Sequence, residues 1–69
     1  MERIREVKIT IDDEEFTDIK DATQFLEDIL SADTLEATIS IYIDTNKTTY
    51  EKEFSDTEDA KQYLENFLK

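Results

Sequence analysis

The segment Phe16–Leu30 reads FTDIKDATQFLEDIL, and a similar segment, Phe54–Leu68, reads FSDTEDAKQYLENFL. Both follow the pattern F-[ST]-D-x-x-D-A-x-Q-[FY]-L-E-[DN]-x-L. Shared packing demands can explain the matching apolar positions of two helices, but they do not explain the shared glutamine and glutamate. The sequence therefore predicts an internal duplication, with repeats at residues 4–30 and 38–68.

Each repeat ends in a predicted amphipathic helix. Apolar residues recur at positions i, i+3, i+4, i+7 and i+8, which places them in one stripe of an α-helix. Thr17 or Asp18, and Ser55 or Asp56, can cap the two helices, and Ser55 with Glu58 fits a capping box. Acidic residues in a first turn also complement the helix dipole, so much of the acid here has a structural explanation. The stripes comprise Ala22, Phe25, Leu26, Ile29 and Leu30, and Ala60, Tyr63, Leu64, Phe67 and Leu68.

Strands are predicted upstream of both helices. Ile39–Ile43 alternates strictly between apolar and polar residues and is rich in β-branched side chains. A two-residue turn at Asn46–Lys47 fixes the register of a hairpin. The predicted pairs are Ile43 with Tyr50 and Ile39 with Phe54.

The first repeat shows the same alternation at Val7–Ile11. A turn at Asp13–Glu14 places Ile11 opposite Phe16, in a hairpin about six residues shorter than the second.

These elements predict an α+β fold in one domain, residues 1–69. It consists of a duplicated ββα unit, β-β-α-β-β-α, with a four-stranded, mostly antiparallel sheet and two helices packed on one face. The sequence leaves the strand order open. Leu35 is expected to pack in the connection between the repeats. The inner sheet face would carry Val7, Ile9, Ile11, Phe16, Ile39, Ile41, Ile43, Tyr50 and Phe54. The outer face would carry Glu6, Lys8, Thr10, Ser40, Tyr42, Glu51 and Glu53.

The composition argues against catalysis. The 69 residues include no cysteine and no histidine, so nucleophiles of the Ser–His or Cys–His type and the usual zinc ligands are excluded. A carboxylate pair for glycoside hydrolysis needs a cleft that so short a chain is not expected to form. We predict that the protein is not an enzyme and uses no cofactor.

The acidic loops do not fit the EF-hand pattern of a calcium site. A loop starting at Asp44 has Thr49 where the sharp turn needs glycine, and Ser55 where the pattern needs a bidentate glutamate. The acidic run Asp12–Glu15 reads as a solvated turn. No metal site is predicted.

Charge decides which partners are expected. Acids outnumber bases 19 to 8, which gives a formal net charge of −11. Such a charge repels nucleic acid and anionic lipid and attracts basic surfaces. The short basic cluster of Arg3, Arg5 and Lys8 does not make a phosphate track. We therefore expect no direct nucleic-acid contact and no membrane contact. A cytoplasmic location is expected because no apolar run approaches the ~20 residues of a membrane span and the N-terminus lacks the apolar core of a signal peptide.

The acids outside the helix starts are the candidate binding residues. They come from the hairpin turns and the outer sheet face, and one contiguous negative surface built from them could fill a basic groove on a nucleic-acid enzyme. The simpler alternative is that these charges keep a small protein soluble and its sheet edges unpaired. The candidate partner-binding residues are Asp12, Asp13, Glu14, Glu15, Tyr42, Asp44, Glu51 and Glu53.

In size, acidity and mixture of strands and helices, the whole chain resembles small phage-encoded inhibitor proteins. These are the anti-CRISPR proteins, the uracil-DNA glycosylase inhibitors and the anti-restriction DNA mimics. The resemblance involves composition and size and no motif. It implies an inhibitor of a basic target protein that acts in the host cytoplasm. A homodimeric assembly module stays open as an alternative, as does a designed fold without a biological partner, because the chain has no glycine or proline.

Overall fold

The predicted order of elements is confirmed by a computed structural model that describes residues 2–68. Met1 and Lys69, which the predicted domain also includes, lie outside the described residues. The strands are β1 (Ile4–Ile11), β2 (Glu14–Phe16), β3 (Glu36–Thr45) and β4 (Thr49–Asp56), and the helices are α1 (Ile19–Ser31) and α2 (Thr57–Glu65).

The sheet has the order β2-β1-β3-β4, and all three pairings are antiparallel. The first strands of the two repeats thus pair at the centre, and each second strand lies at an edge. Both helices pack on one face, because the apolar stripe of each meets the isoleucines of the central strands. The fully or nearly fully buried core consists of Ile9, Ile11, Ile19, Ala22, Leu26, Ile39, Ile41, Ile43, Ala60 and Leu64.

The two repeats occupy equivalent positions about an approximate two-fold axis. The axis passes through the Thr10–Ser40 pair of the central strands, because it relates the Ile9–Phe16 pair of the first repeat to the Ile39–Phe54 pair of the second. Equivalent ring contacts follow the same relation. The Phe16 and Phe25 centroids are 5.1 Å apart, and those of Phe54 and Tyr63 are 5.3 Å apart. That the two repeats descend from one duplicated unit stays a prediction.

The predicted register of the second hairpin is confirmed. Ile43 pairs with Tyr50 and Ile39 with Phe54, and the Thr45 amide donates to the Thr48 carbonyl oxygen at 2.9 Å across the two-residue turn.

The predicted register of the first hairpin is wrong by two residues. Ile11 pairs with Glu14, and Phe16 pairs with Ile9. The turn falls earlier because Asp12 adopts a left-handed conformation (φ 53°) and exchanges hydrogen bonds with Thr38 of β3. A shift of two residues preserves the side-chain faces, so Phe16 still packs against the core.

Leu35 and Leu68 were expected to pack, and both expectations are wrong. Leu35 is 64% exposed and Leu68 is 50% exposed. Leu68 leaves the stripe because α2 ends at Glu65 and the chain continues in tighter i→i−3 turns.

The predicted capping box of Ser55 and Glu58 does not form. Asp56 caps α2 by accepting from the Asp59 amide at 3.0 Å. The Glu58 carboxylate accepts from the Gln62 side chain instead.

The end of α1 places an aspartate where glycine is usual. Thr34 and Asp33 donate their amides to the Ile29 and Leu30 carbonyls, which is the Schellman arrangement. Asp33 takes the left-handed position (φ 63°), and its charge lies at the negative end of the helix dipole.

Asp33→Gly is therefore expected to raise the free energy of unfolding by about 1 kcal/mol, as measured by urea denaturation. Asp12→Gly is the matched control. Glycine relieves the strain of the left-handed backbone at residue 12 as well, but the substitution removes the oxygen that accepts the Thr38 amide at 3.0 Å. The gain in the free energy of unfolding should therefore be smaller. A loss of stability in Asp33→Gly would contradict the interpretation of this helix end.

Thr57 carries a buried hydroxyl oxygen for which residues 2–68 offer no hydrogen-bond partner. The equivalent residue in the first repeat is Ile19, which packs in the core. The Thr57 amide, in contrast, donates to the Leu35 carbonyl at 3.0 Å.

Thr57→Val should stabilise the protein by about 1 kcal/mol, because valine keeps the shape and removes the unpaired hydroxyl. Thr23→Val tests the same change where the hydroxyl is bonded, since Thr23 donates to the Ile19 carbonyl at 2.8 Å. Thermal unfolding should show a higher melting temperature for Thr57→Val and a lower one for Thr23→Val than for the unsubstituted protein. The reverse order would rule out the unpaired hydroxyl as a source of instability.

Candidate protein-binding face

No helix of residues 2–68 packs on the sheet surface opposite the core, and we call this surface the open face. Strand alternation places side chains from all four strands on it, and five of them are carboxylates. Within residues 2–68, the ion pairs of this surface are formed by Arg5 and Lys8. Its residues are Glu6, Lys8, Thr10, Glu15, Ser40, Tyr42, Asp44, Thr49, Glu51 and Glu53.

The structure brings four of the predicted binding residues together. Tyr42 lies directly opposite Glu51, while Asp44 and Glu53 lie one step along the same face of their strands. Glu15 shares the face but lies on the far edge strand, in the row Glu15–Thr10–Ser40–Glu53. Three strand spacings separate Glu15 from Glu53, which is about 14 Å.

The other three predicted residues lie elsewhere. Asp12 and Asp13 form the β1–β2 turn, and Glu14 points to the helix side because it pairs with the core residue Ile11. The two hairpin turns lie at opposite ends of the sheet, because β1 and β3 are antiparallel neighbours. Asp12 to Glu14 therefore do not extend the open face.

Asp44 is the most constrained carboxylate of the open face. The Arg5 guanidinium lies 3.2 Å from one of its oxygens, and the Thr49 hydroxyl donates to the other at 2.9 Å. Arg5 reaches this position beside an irregularity in the β1–β3 ladder. Both oxygens of the Asp44 carboxylate thus already have partners within the protein.

Glu51 and Glu53 differ from Asp44, because they are exposed and no cation of residues 2–68 lies within ion-pair distance of either. The Lys8–Glu15 pair on the same face is 3.9 Å long and well exposed, so it is expected to contribute little. Two adjacent carboxylates on β4 therefore remain available to a partner.

Glu6 belongs with these residues, although the sequence argument did not select it for binding. It lies directly opposite Asp44, where like charges repel. Its alternation with Lys8 and Thr10 had already placed it on the outer face, and that signal could have identified it.

Tyr42 lies at the centre of the open face, among its carboxylates. Its pKa is raised, first by partial desolvation and then by the negative charges of Asp44, Glu6 and Glu51. Tyr42 lies in a shallow depression with Lys8, Ser40 and the two glutamates of β4. An aromatic ring among carboxylates suits a cationic side chain, since a guanidinium can stack on the ring and pair with a carboxylate.

At the β3–β4 turn, Glu2 binds the hairpin to the N-terminal segment. Its carboxylate accepts from the Thr45 hydroxyl at 2.8 Å and from the Tyr50 hydroxyl at 2.9 Å. These hydrogen bonds lower the pKa of Glu2 below its ordinary value of 4.5.

A group whose pKa is lowered by folding stabilises the protein above its unfolded pKa and loses that effect as pH falls through the folded value. The melting temperature of the unsubstituted protein should therefore exceed that of Glu2→Gln at neutral pH, and the gap should close below about pH 4.5. Melting curves from pH 7 to pH 3 would check this. A gap that stays constant with pH would exclude the Glu2 carboxylate as its source.

Among residues 2–68, no group of carboxylates is arranged to hold a metal ion. Neither described helix has the length and apolar character required to cross a membrane. Comparison with known proteins gives no match to any family model, curated protein or solved structure.

Proposed function

We propose that the protein is an acidic protein-binding module that inhibits its target by occupying a basic, nucleic-acid-binding surface. The observation that carries this proposal is the arrangement of Glu51, Glu53 and Glu6 around Tyr42 on the open face. Two of these carboxylates lie next to each other on one strand and have no described cation partner. A basic surface would supply the missing charges.

Electrostatics support an inhibitor that competes with nucleic acid. A net charge of −11 on a chain of this size steers it towards positively charged clefts, which are the surfaces that nucleic acid uses. The charge also disfavours self-association through the open face, because two copies would bring like carboxylates together.

The proposal is tested by affinity capture from a bacterial lysate at low salt with the tagged protein as bait, followed by a salt gradient. We expect a nucleic-acid-binding protein to be retained, released at moderate salt and displaced by added duplex DNA. Retention of proteins that duplex DNA does not displace would contradict the proposed surface. Recovery of nothing, with a dimer in solution, would favour the assembly module.

A further inference from the structure

The backbone of β4 offers a second binding feature beside its carboxylates. β4 has eight residues and is the last strand of the sheet, whereas β2 at the opposite edge has three. Its outer side has no strand partner among residues 2–68. A sheet edge of this length can template the addition of a further strand.

The hydrogen-bond pattern shows which residues face outward. The Thr45–Thr48 pair is hydrogen-bonded, and bonded and non-bonded pairs alternate along an antiparallel ladder. Tyr50, Lys52 and Phe54 therefore bond to β3, while Thr49, Glu51 and Glu53 direct their amides and carbonyls away from it. The two free carboxylates and the free backbone groups thus belong to the same residues.

The charges on β4 determine which kind of strand can pair with its outer edge. Pairing with a second copy would bring Glu51 and Glu53 of both chains close together, and like charges on neighbouring strands repel. Lys52 projects from the opposite face of this edge strand, which is a common protection against self-pairing. A strand with basic side chains next to the glutamates meets neither obstacle.

We propose that β4 accepts an extended, basic segment of the partner protein as a fifth, antiparallel strand. Lysine or arginine would lie opposite Glu51 and Glu53, and a small polar residue opposite Lys52. Apolar residues would cover Tyr50 and Phe54, which are half-buried at the edge. The recognised pattern is apolar-basic-polar-basic-apolar. This inference rests on the proposed function for the basic character of the partner, but its backbone hydrogen bonds are independent of charge.

The test uses a synthetic peptide about as long as β4 and centred on Val-Lys-Thr-Lys-Val, with blocked ends. Two isomers carry two backbone N-methyl groups each. In one isomer they are on the lysines, whose amides would bond to Glu51 and Glu53. In the other they are on the valines, whose amides would point to solvent. Both isomers have the same charge and mass.

Isothermal titration at low salt should show binding of the unmethylated peptide and of the valine-methylated isomer. The lysine-methylated isomer should bind at least about tenfold more weakly, because it loses two hydrogen bonds. Equal binding of the isomers, the reverse preference, or no binding of the parent peptide would overturn the proposal. If the parent peptide does not bind and the free protein sediments as a dimer, a second copy occupies β4 and the proposal is overturned.

Failure of the strand-addition proposal and failure of the proposed function are distinguishable. If both methylated isomers bind equally but the Glu51→Gln/Glu53→Gln variant binds neither, charge alone carries the interaction and the proposed function stands. If affinity capture yields no nucleic-acid-binding protein while the isomers differ as expected, the strand-binding edge stands without the proposed target class.

Discussion

Leu26→Ala and Leu64→Ala are each expected to leave most of the protein unfolded at 37 °C. The two leucines are equivalent in the repeats, and both are 0% exposed in the cluster between helices and sheet. Truncating a buried leucine costs about 2–5 kcal/mol, and a single core of this size supplies only about 3–5 kcal/mol in total. Urea denaturation followed by circular dichroism measures the loss.

Leu35→Ala is the control for these variants. Leu35 is 64% exposed, so its truncation should change the free energy of unfolding by no more than about 0.5 kcal/mol. If Leu35→Ala costs as much as Leu26→Ala, the connection between α1 and β3 packs as the sequence predicted and differs from the described structure.

The second large effect is expected on binding. Glu51→Lys/Glu53→Lys should weaken binding to the captured target at least about tenfold per glutamate at low salt, because close charge pairs across an interface are worth 1.5 kcal/mol or more. Association should slow as well, since these charges also steer the encounter. Surface plasmon resonance over a range of salt concentrations separates the two effects.

Glu27→Lys/Asp28→Lys supplies the matched control. Each pair of substitutions turns two acids into two bases, so the net charge changes from −11 to −7 in both variants. Glu27 and Asp28 are exposed on α1, on the other side of the molecule from the open face. Equal losses in the two variants would mean that net charge alone drives binding and that the open face is not the site.

The second hairpin could be predicted from sequence because its information is local. Period-two alternation in Ile39–Ile43 fixes which side chains face the core, and the aromatic residues of β4 complete the same face. The first hairpin could not be placed, because its turn depends on Asp12 bonding to Thr38, which is distant in sequence. The error of two residues in register left the predicted core unchanged, because each side chain still lies on its predicted face of the sheet.

The candidate site was predictable only in part for a related reason. Alternation identified the outward residues of β3 and β4, including Tyr42, Glu51 and Glu53. Glu14 is excluded by the register of the first hairpin, where it pairs with Ile11. The Asp12–Asp13 turn is excluded by the antiparallel pairing of β1 with β3, which no local pattern encodes. The neutralisation of Asp44 by Arg5 likewise depends on that pairing.

The open face as the binding surface is tested most directly by amide chemical-shift mapping of the ¹⁵N-labelled protein in complex with its captured target. We predict that the perturbed amides cluster on β3 and β4 around Tyr42, Glu51 and Glu53, and that added duplex DNA restores the free spectrum. Perturbations confined to the exposed sides of α1 and α2, or a complex that duplex DNA leaves intact, would contradict the proposed function.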